Sequence, residues 1–244
     1  MKNEVNRACM AKKIAIIGYG KMGHMIEEIA LQRGHEVVAI IEPNPDPSLK
    51  GKENIFSLEE GFASEAFRRA DVAIEFTTPA TAEGNILRAW AQGVPVVCGT
   101  TGWKPEEVKL ENEKWKIVKE GNRTIIQNES GKTMLMWSSN YSVGVNLFFE
   151  LNKQLASAMI SQPQYTPSIK EIHHIHKLDK PSGTAKTLAE QIDTNVAIES
   201  IRKGEVPGTH EVKWDSEEDT IIITHIAKGR RGFALGAVLA AEQI

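Results

Sequence analysis

Residues 13–30 read KIAIIGYGKMGHMIEEIA, and this run decides the fold. Lys13–Ile17 is a short apolar strand leading directly into Gly18-Tyr19-Gly20-Lys21-Met22-Gly23. A helical pattern of Met25, Ile26, Ile29 and Ala30 follows and stops at Gly34. The glycines fit G-x-G-x-x-G. One permits the tight turn, one lets the backbone approach a pyrophosphate, and one allows close helix–strand packing. The helix start adds unpaired N–H groups and a partial positive charge. A second buried strand, Glu36–Ile41, ends at Glu42, 19 residues after Gly23, where a ribose hydroxyl would be gripped. The loop therefore reads as a dinucleotide site, and glycines serving only a tight turn are the plainer alternative. Glu42 repels a 2′-phosphate and Pro43 attracts none, which leans toward NADH over NADPH, although Lys50 and Lys52 are close enough in sequence to reach the site.

Further apolar strands read at 72–76, 95–99 and 124–128, with helical patterns between them at 82–92 and opening at 105–112. Such alternation predicts an α/β, Rossmann-like, doubly wound parallel sheet. The pattern changes after Asn140. A long helix is expected over Val143–Met159, a strand over 169–175 and a helix over 184–192. An antiparallel pair is expected at 209–214 and 220–227, and a helical tail at 233–243. The division is thus a dinucleotide-binding domain over 1–141, to which 228–244 returns. The second domain, over 142–227, is α+β, contains a mixed or antiparallel sheet, and serves substrate binding and oligomerisation.

Composition narrows the function. The net charge of −3, from 29 basic and 32 acidic side chains, gives no electrostatic case for nucleic acid. No apolar run approaches the roughly 18 residues needed to span a bilayer, and the polar start lacks the apolar centre of a secretory signal. The start reads as a frayed extension and the cytoplasm as the expected location. Cys9 and Cys98 lie in unlike contexts and imply neither a disulfide framework nor a metal knuckle; Cys98 reads as a small core residue.

Residues 171–185, EIHHIHKLDKPSGTA, hold the chemistry. In an extended strand Glu171, His173, Ile175 and Lys177 share one face, with His174 and His176 on the other. His173 and Lys177 then both meet a substrate, and His174 does so only if the strand ends or bends there. Ser182-Gly183-Thr184 supplies a capping hydroxyl and free backbone N–H groups at a helix start, an anion site that Lys177 or Lys186 completes. A metal site from His173, His174 and His176 competes but lacks a cysteine or carboxylate cluster to finish its shell. Purely structural histidines are the other alternative. No metal is expected.

These blocks, together with EFTTPA (75–80), CGTTGW (98–103), SSNYSVGVN (138–146) and RRGFALGAV (230–238), closely resemble the dihydrodipicolinate reductase family of the bacterial lysine and diaminopimelate pathway. The histidine–lysine–PSGTA run is the specific part. The resemblance implies hydride transfer from NADH or NADPH to C4 of the dicarboxylate imine 4-hydroxy-tetrahydrodipicolinate, with loss of water. It implies His173 as proton donor or acceptor and Lys177 as second proton donor, with His174, Lys177, Ser182, Gly183 and Thr184 holding the small dicarboxylate. The cofactor would touch residues 18–23, Glu42, Gly99, Thr100, Thr101, Ser138, Ser139, Asn140 and Tyr141, with Arg230 and Phe233 approaching from the tail. A homotetramer joined through the second sheet is also implied. Three features depart from the family pattern: six rather than seven residues span the loop glycines, the stretch 193–208 is short, and the chain stops soon after the GAV helix. Two other functions stay open on the residues alone, an oxidoreductase of another small acid and a non-catalytic NAD-binding regulator.

Overall fold

The computed structural model describes residues 10–44, 53–108, 114–120, 122–131, 133–192 and 195–244; Cys9, Lys50 and Lys52 lie outside them. The chain forms two compact units, one running to Ser139 and including Ala234–Ile244, the other Asn140–Phe233.

In the first unit β1 (Lys13–Ile17), β2 (Glu36–Ile41), β3 (Ile55–Phe56), β4 (Val72–Glu75), β5 (Val96–Cys98), β6 (Trp115–Glu120), β7 (Arg123–Asn128) and β8 (Met134–Ser138) build one sheet in the order β3-β2-β1-β4-β5-β8-β7-β6. From β3 to β8 every pairing is parallel. Parallel strands are covered on both faces, so they read as unbroken apolar runs: four of the five residues of β1 and all of β4 and β5 are buried. Helices α1 (Lys21–Gln32), α2 (Leu58–Ala63), α3 (Glu65–Arg68) and α4 (Pro79–Ala91) provide the connections. A buried cluster gathers Phe67, Ile86 and Trp90 from these helices against Ala15, Ile17, Val96 and Leu135 of the strands.

The sheet is not parallel throughout. β7 is antiparallel to both β6 and β8. Only two residues separate Glu120 from Arg123, and a connection that short permits a hairpin and nothing else. The helix expected at 105–112 is a single 3-10 turn, Pro105–Glu107, and 109–113 lie outside the described residues.

The second unit holds α5 (Val143–Met159), β9 (Thr166–His173), α6 (Gly183–Ile192), β10 (Ala197–Arg202), β11 (Thr209–Asp215) and β12 (Thr220–Ile226). Its sheet, in the order β10-β9-β11-β12, is mixed: β10 runs parallel to β9, and β11 runs antiparallel to β9 and β12. Apolar faces of α5 and α6 cover it through Phe148, Phe149, Leu188 and Ile192, packed against Ile169, Val212 and Trp214. The final helix α7 (Arg231–Ala241) buries Ala234, Ala237, Val238 and Ala241. Beyond it Glu242 accepts hydrogen bonds from Arg33 (Nε, 2.5 Å) and pairs with His35 (Nε2, 2.9 Å), closing the first unit's chain onto the α1–β2 corner.

The glycine loop separates into conformational and open positions. Gly18 has φ +89°, and a Cβ there would lie 2.4 Å from the Phe76 carbonyl oxygen. At Gly23 a Cβ would meet the Gly18 carbonyl oxygen at 2.3 Å, whereas Gly20 has nothing within 4 Å. Gly23→Ala should therefore cost about 1–3 kcal/mol of stability in thermal or denaturant unfolding, and Gly20→Ala should unfold like the wild type. Equal losses at both positions would refute this division.

Candidate active site

Two sites take shape, one in each unit. In the first, a cleft of about 340 Å³ opens at the C-terminal ends of β1, β4 and β5, lined by Met22, Phe76, Thr77, Pro79, Gly99, Thr100 and Thr101. Ligands of parallel α/β sheets bind at such strand ends, beside the helix that follows the first strand. No side chain caps the start of α1, so its first N–H groups are left for a ligand. The open space at Gly20 and the near contact between Gly99 and Phe76, where a Cβ would lie 2.0 Å from Cζ, keep the walls of the cleft backbone-thin. These features fit the pyrophosphate and ribose of a dinucleotide.

Glu42 Oε2 accepts from the Tyr19 N–H at 2.8 Å and Oε1 from the Asn44 N–H at 3.1 Å, so the acid expected at a ribose also ties down the glycine loop. Tyr19 is buried, with its hydroxyl on Glu27, while Lys21 is exposed and Met22 half-buried. Beneath the cleft lies a residue the sequence reading passed over. Glu75 is fully buried and accepts from Thr100 Oγ1 (2.7 Å), Cys98 Sγ (3.0 Å) and Thr77 Oγ1. Burial, and then the Glu75 charge, push the Cys98 thiol well up, so Cys98 is an unreactive core donor. Ser138 is buried on Asn122 (3.1 Å), Ser139 is exposed, and Asn140 Oδ1 accepts the Ser142 N–H (2.9 Å) next to buried Tyr141. Arg230 is exposed and Phe233 half-buried around the start of α7.

The second unit builds its site on the end of β9. Alternation holds through Ile169, Glu171 and His173, all buried, and then the strand stops. The ladders that define the strand end before 175, the last pairings being His173 with Arg202 and Ile172 with Thr209, and beyond them Ile175 N–H donates to the Gly204 carbonyl (3.1 Å) in the turn after β10. Ile175 turns out into solvent and Lys177 reaches the site from a loop. Glu171 has no exposed surface. Both its oxygens accept the Ser182 N–H at 3.1 Å, Arg202 donates to Oε1 at 3.3 Å, and Oε2 lies 3.4 Å from His173 Nδ1 and 3.8 Å from His210 Nε2. Burial alone would raise its pKa, but the hydrogen bonds from Ser182 and Ser200 more than offset this and hold the carboxyl below its usual range.

His173 stands edge-on to His210, ring centres 4.9 Å apart. Its pKa is lowered by burial in the first place, with Lys177 and Arg202 adding to the effect and Glu171 opposing it. His210, absent from the sequence reading, pairs through Nε2 with Ser182 Oγ at 3.2 Å. Ser182 Oγ also accepts the Ala185 N–H at 3.2 Å, so Ser182 faces inward with its N–H, its hydroxyl and 98% of its surface committed to the protein (2% exposed). The expected direct contact of Ser182 with a ligand is not available in this arrangement. The free surface of the turn belongs to Gly183 and Thr184, and a Cβ at Gly183 would meet nothing within 4 Å. Here Asp179 intervenes: its carboxylate lies 2.6 Å from Lys177 Nζ, and although burial would raise its pKa, the bond to Lys177 and the lysine charge hold it below the usual range. His174 is half-buried and His176 exposed on Glu205 (3.1 Å).

Three potential ligand atoms come within 4.8 Å of one another on Glu171, His173 and His210, rather than on the three neighbouring histidines. The Arg202 guanidinium and the Ser182 N–H already occupy that carboxylate, so the cationic partner a metal would provide is built into the chain.

Comparison with known proteins bears on both sites. Residues 12–141 match the family model described as dihydrodipicolinate reductase, N-terminus, and residues 144–244 match dihydrodipicolinate reductase, C-terminus. The chain is 39% identical to the 4-hydroxy-tetrahydrodipicolinate reductase of Christiangramia forsetii, over 95% of this chain and 91% of that one. It is 34% identical to the enzyme of the same name from Bdellovibrio bacteriovorus, over 95% and 90%. Among solved structures the fold resembles a dipicolinate-bound dihydrodipicolinate reductase from Paenisporosarcina sp. TG-14, with TM-score 0.70, 21% identity, and coverage of 96% and 94%.

Burial, reinforced by His173, pushes the pKa of His210 from 6.5 down to about 4. Between those values the unfolded chain binds a proton that the folded chain refuses, so the stabilisation is complete above pH 6.5 and is lost as pH falls toward 4. The amount is about 3 kcal/mol. Urea midpoints measured from pH 7 to pH 4 should fall steeply for the wild type and by roughly one proton less for His210→Gln; parallel curves would show that His210 is not the group responsible.

Proposed function

The chain belongs to the dihydrodipicolinate reductase family, and we propose that it reduces 4-hydroxy-tetrahydrodipicolinate to tetrahydrodipicolinate. Hydride goes to C4, and the C4 hydroxyl leaves as water after taking up one proton. The observation behind this reading is that the fold gathers His173, Lys177 and the Gly183–Thr184 helix start around one buried carboxylate, Glu171. An oxidoreductase of a different acid or a regulator has no use for that grouping.

A reduced nicotinamide dinucleotide supplies the hydride and is held by residues 18–23 and by Gly99, Thr100 and Thr101 around the strand-end cleft. Ser138, Ser139, Asn140, Tyr141, Arg230 and Phe233 complete its surroundings by family resemblance. NADH is the preferred form, because Glu42 places a carboxylate within reach of Tyr19 N–H, where a 2′-phosphate would meet like charge. In the second unit Lys177, Gly183, Thr184 and His174 bind the dicarboxylate, and Ser182 shapes the turn from behind. Lysine adds charge that attracts a dianion. His173, a group able to change charge near neutrality, exchanges the proton, with Lys177 as second donor.

Substrate binding begins with an exchange. Asp179 holds in the free protein the Lys177 Nζ that a substrate carboxylate needs. The incoming carboxylate takes its place. The second unit also presents an apolar stripe, Val143, Leu147 and Leu151 at successive turns of α5, and exposed Ile222 and Ile226 on edge strand β12. Those surfaces favour a homo-oligomer, a tetramer on the family pattern. Among the described residues no helix is long and apolar enough to cross a membrane.

Nicotinamide oxidation in an assay coupled to the synthase that makes the substrate should be rapid, and faster at low cofactor with NADH than with NADPH. His173→Ala should lower kcat by about 10²–10⁴ with little change in KM; wild-type kcat in that variant would remove His173 from the chemistry. Asp179→Asn should lower KM several-fold, and a raised KM would mean that Asp179 orients Lys177 for the substrate instead of competing with it.

A further inference from the structure

Arg202, the last residue of β10, is paired in register with His173, and Ser200 is paired with Glu171. Its guanidinium reaches across the catalytic segment. Nε donates to the Lys177 carbonyl at 3.1 Å, Nη2 donates to the Asp179 carbonyl, and both Nη atoms lie 3.3 Å from Glu171 Oε1. Nη1 also donates to its own strand at Ile201 (3.0 Å). Glu171 in turn holds the Ser182 N–H and faces His173 and His210. Three pieces of chain are joined this way: the end of β9, the 177–179 loop and the start of α6.

We propose that the Glu171–Arg202 ion pair is the positioning unit of the reductase site, setting His173, Lys177 and the Gly183–Thr184 turn at fixed distances from one another. This rests on the roles proposed above for those three. A planar fork with five donors matches two carbonyls and a carboxylate at once, whereas an ammonium group on a flexible stem cannot. A pair needed only to fill space is better replaced by apolar side chains, since burying two charges costs several kcal/mol per ion before their attraction is counted. Here each partner is saturated by backbone groups of the segment that does the chemistry. Glu171 acts on His173 a second way, as the nearby negative charge that favours its protonated form. The other charged or titratable groups facing His173 are Lys177, Arg202, Asp179 and His210.

The test uses the full-length protein with Arg202→Lys and Glu171→Gln, read by steady-state kinetics across pH, by NADH titration and by NMR titration of the histidine rings. Arg202→Lys should keep NADH affinity, lower kcat/KM about tenfold or more and weaken pyridine-2,6-dicarboxylate binding similarly. Glu171→Gln should move the His173 titration, and the limb of the pH–rate profile it controls, to lower pH by about one unit. Loss of thermal stability alone, with kcat/KM, dicarboxylate affinity and the His173 titration unchanged, would overturn the proposal. If Glu171→Gln does not fold, Arg202→Lys decides by the same three readouts. A wild type inactive on the proposed substrate would count against the reaction, whereas the ring titration in Glu171→Gln judges the ion pair independently of turnover.

Discussion

A carboxylate with no access to water, Glu171, is the constraint on which the second unit depends. An ionised group in that position is tolerable only with its lone pairs filled and its charge balanced. The partners come from far apart in sequence: the Ser182 N–H from a helix start, Arg202 from a neighbouring strand, and His173 from two residues along its own strand. Satisfying one oxygen pair therefore sets the fine positions of three segments that the β9–β10 ladder and the packing of α6 already bring near one another. The close spacing of imidazole, ammonium and helix start follows from that requirement.

The first unit solves a related problem with the same means. Glu75 ends β4 as Glu171 stands near the end of β9, and it too is buried beneath the surface where a ligand belongs. Its donors are Thr77, Thr100 and the Cys98 thiol, which lock the two strand-end loops that wall the cleft. Above them the glycines at 18 and 23 remove the side chains that would collide with backbone, and Gly20 keeps the opening. In both units a buried carboxyl group below the binding surface has its oxygens satisfied by donors of the chain, and other N–H groups and cations lie above it.

Much of this was legible in the sequence for a physical reason: short-range patterns report short-range geometry. The glycine spacing, the apolar runs of β1 and β2 and the 17-residue periodicity of α5 each specify a local conformation that the fold keeps. What escaped depended on pairing between distant strands. Edge strand β6, with its residues half-buried or exposed, and β10, with weak alternation, give little apolar signal, and so Arg202 stayed unassigned. His210 sits in β11 with nothing nearby in sequence to mark it. Ser182 was legible as a capping hydroxyl, which it is toward the Ala185 N–H; its role as a ligand contact came from the resemblance, and its bond to His210 had no signal in the sequence. The end of β9 at His173 likewise depends on where its ladders with β10 and β11 stop.

On the roles proposed for His173 and Lys177, the charges of the second site explain why a proton donor there is best armed late. Lys177 and Asp179 balance each other, as do Arg202 and Glu171, and burial keeps His173 on the neutral side of its ordinary range. A dianion that displaces Asp179 from Lys177 brings negative charge to the same place without bringing a cation. Negative charge nearby favours the imidazolium. Substrate arrival thus raises the proton affinity of the group that must give a proton up, and departure of the dianionic product lowers it again. A site charged in advance would gain nothing from this coupling, and a site lacking Glu171 would begin further from the protonated form.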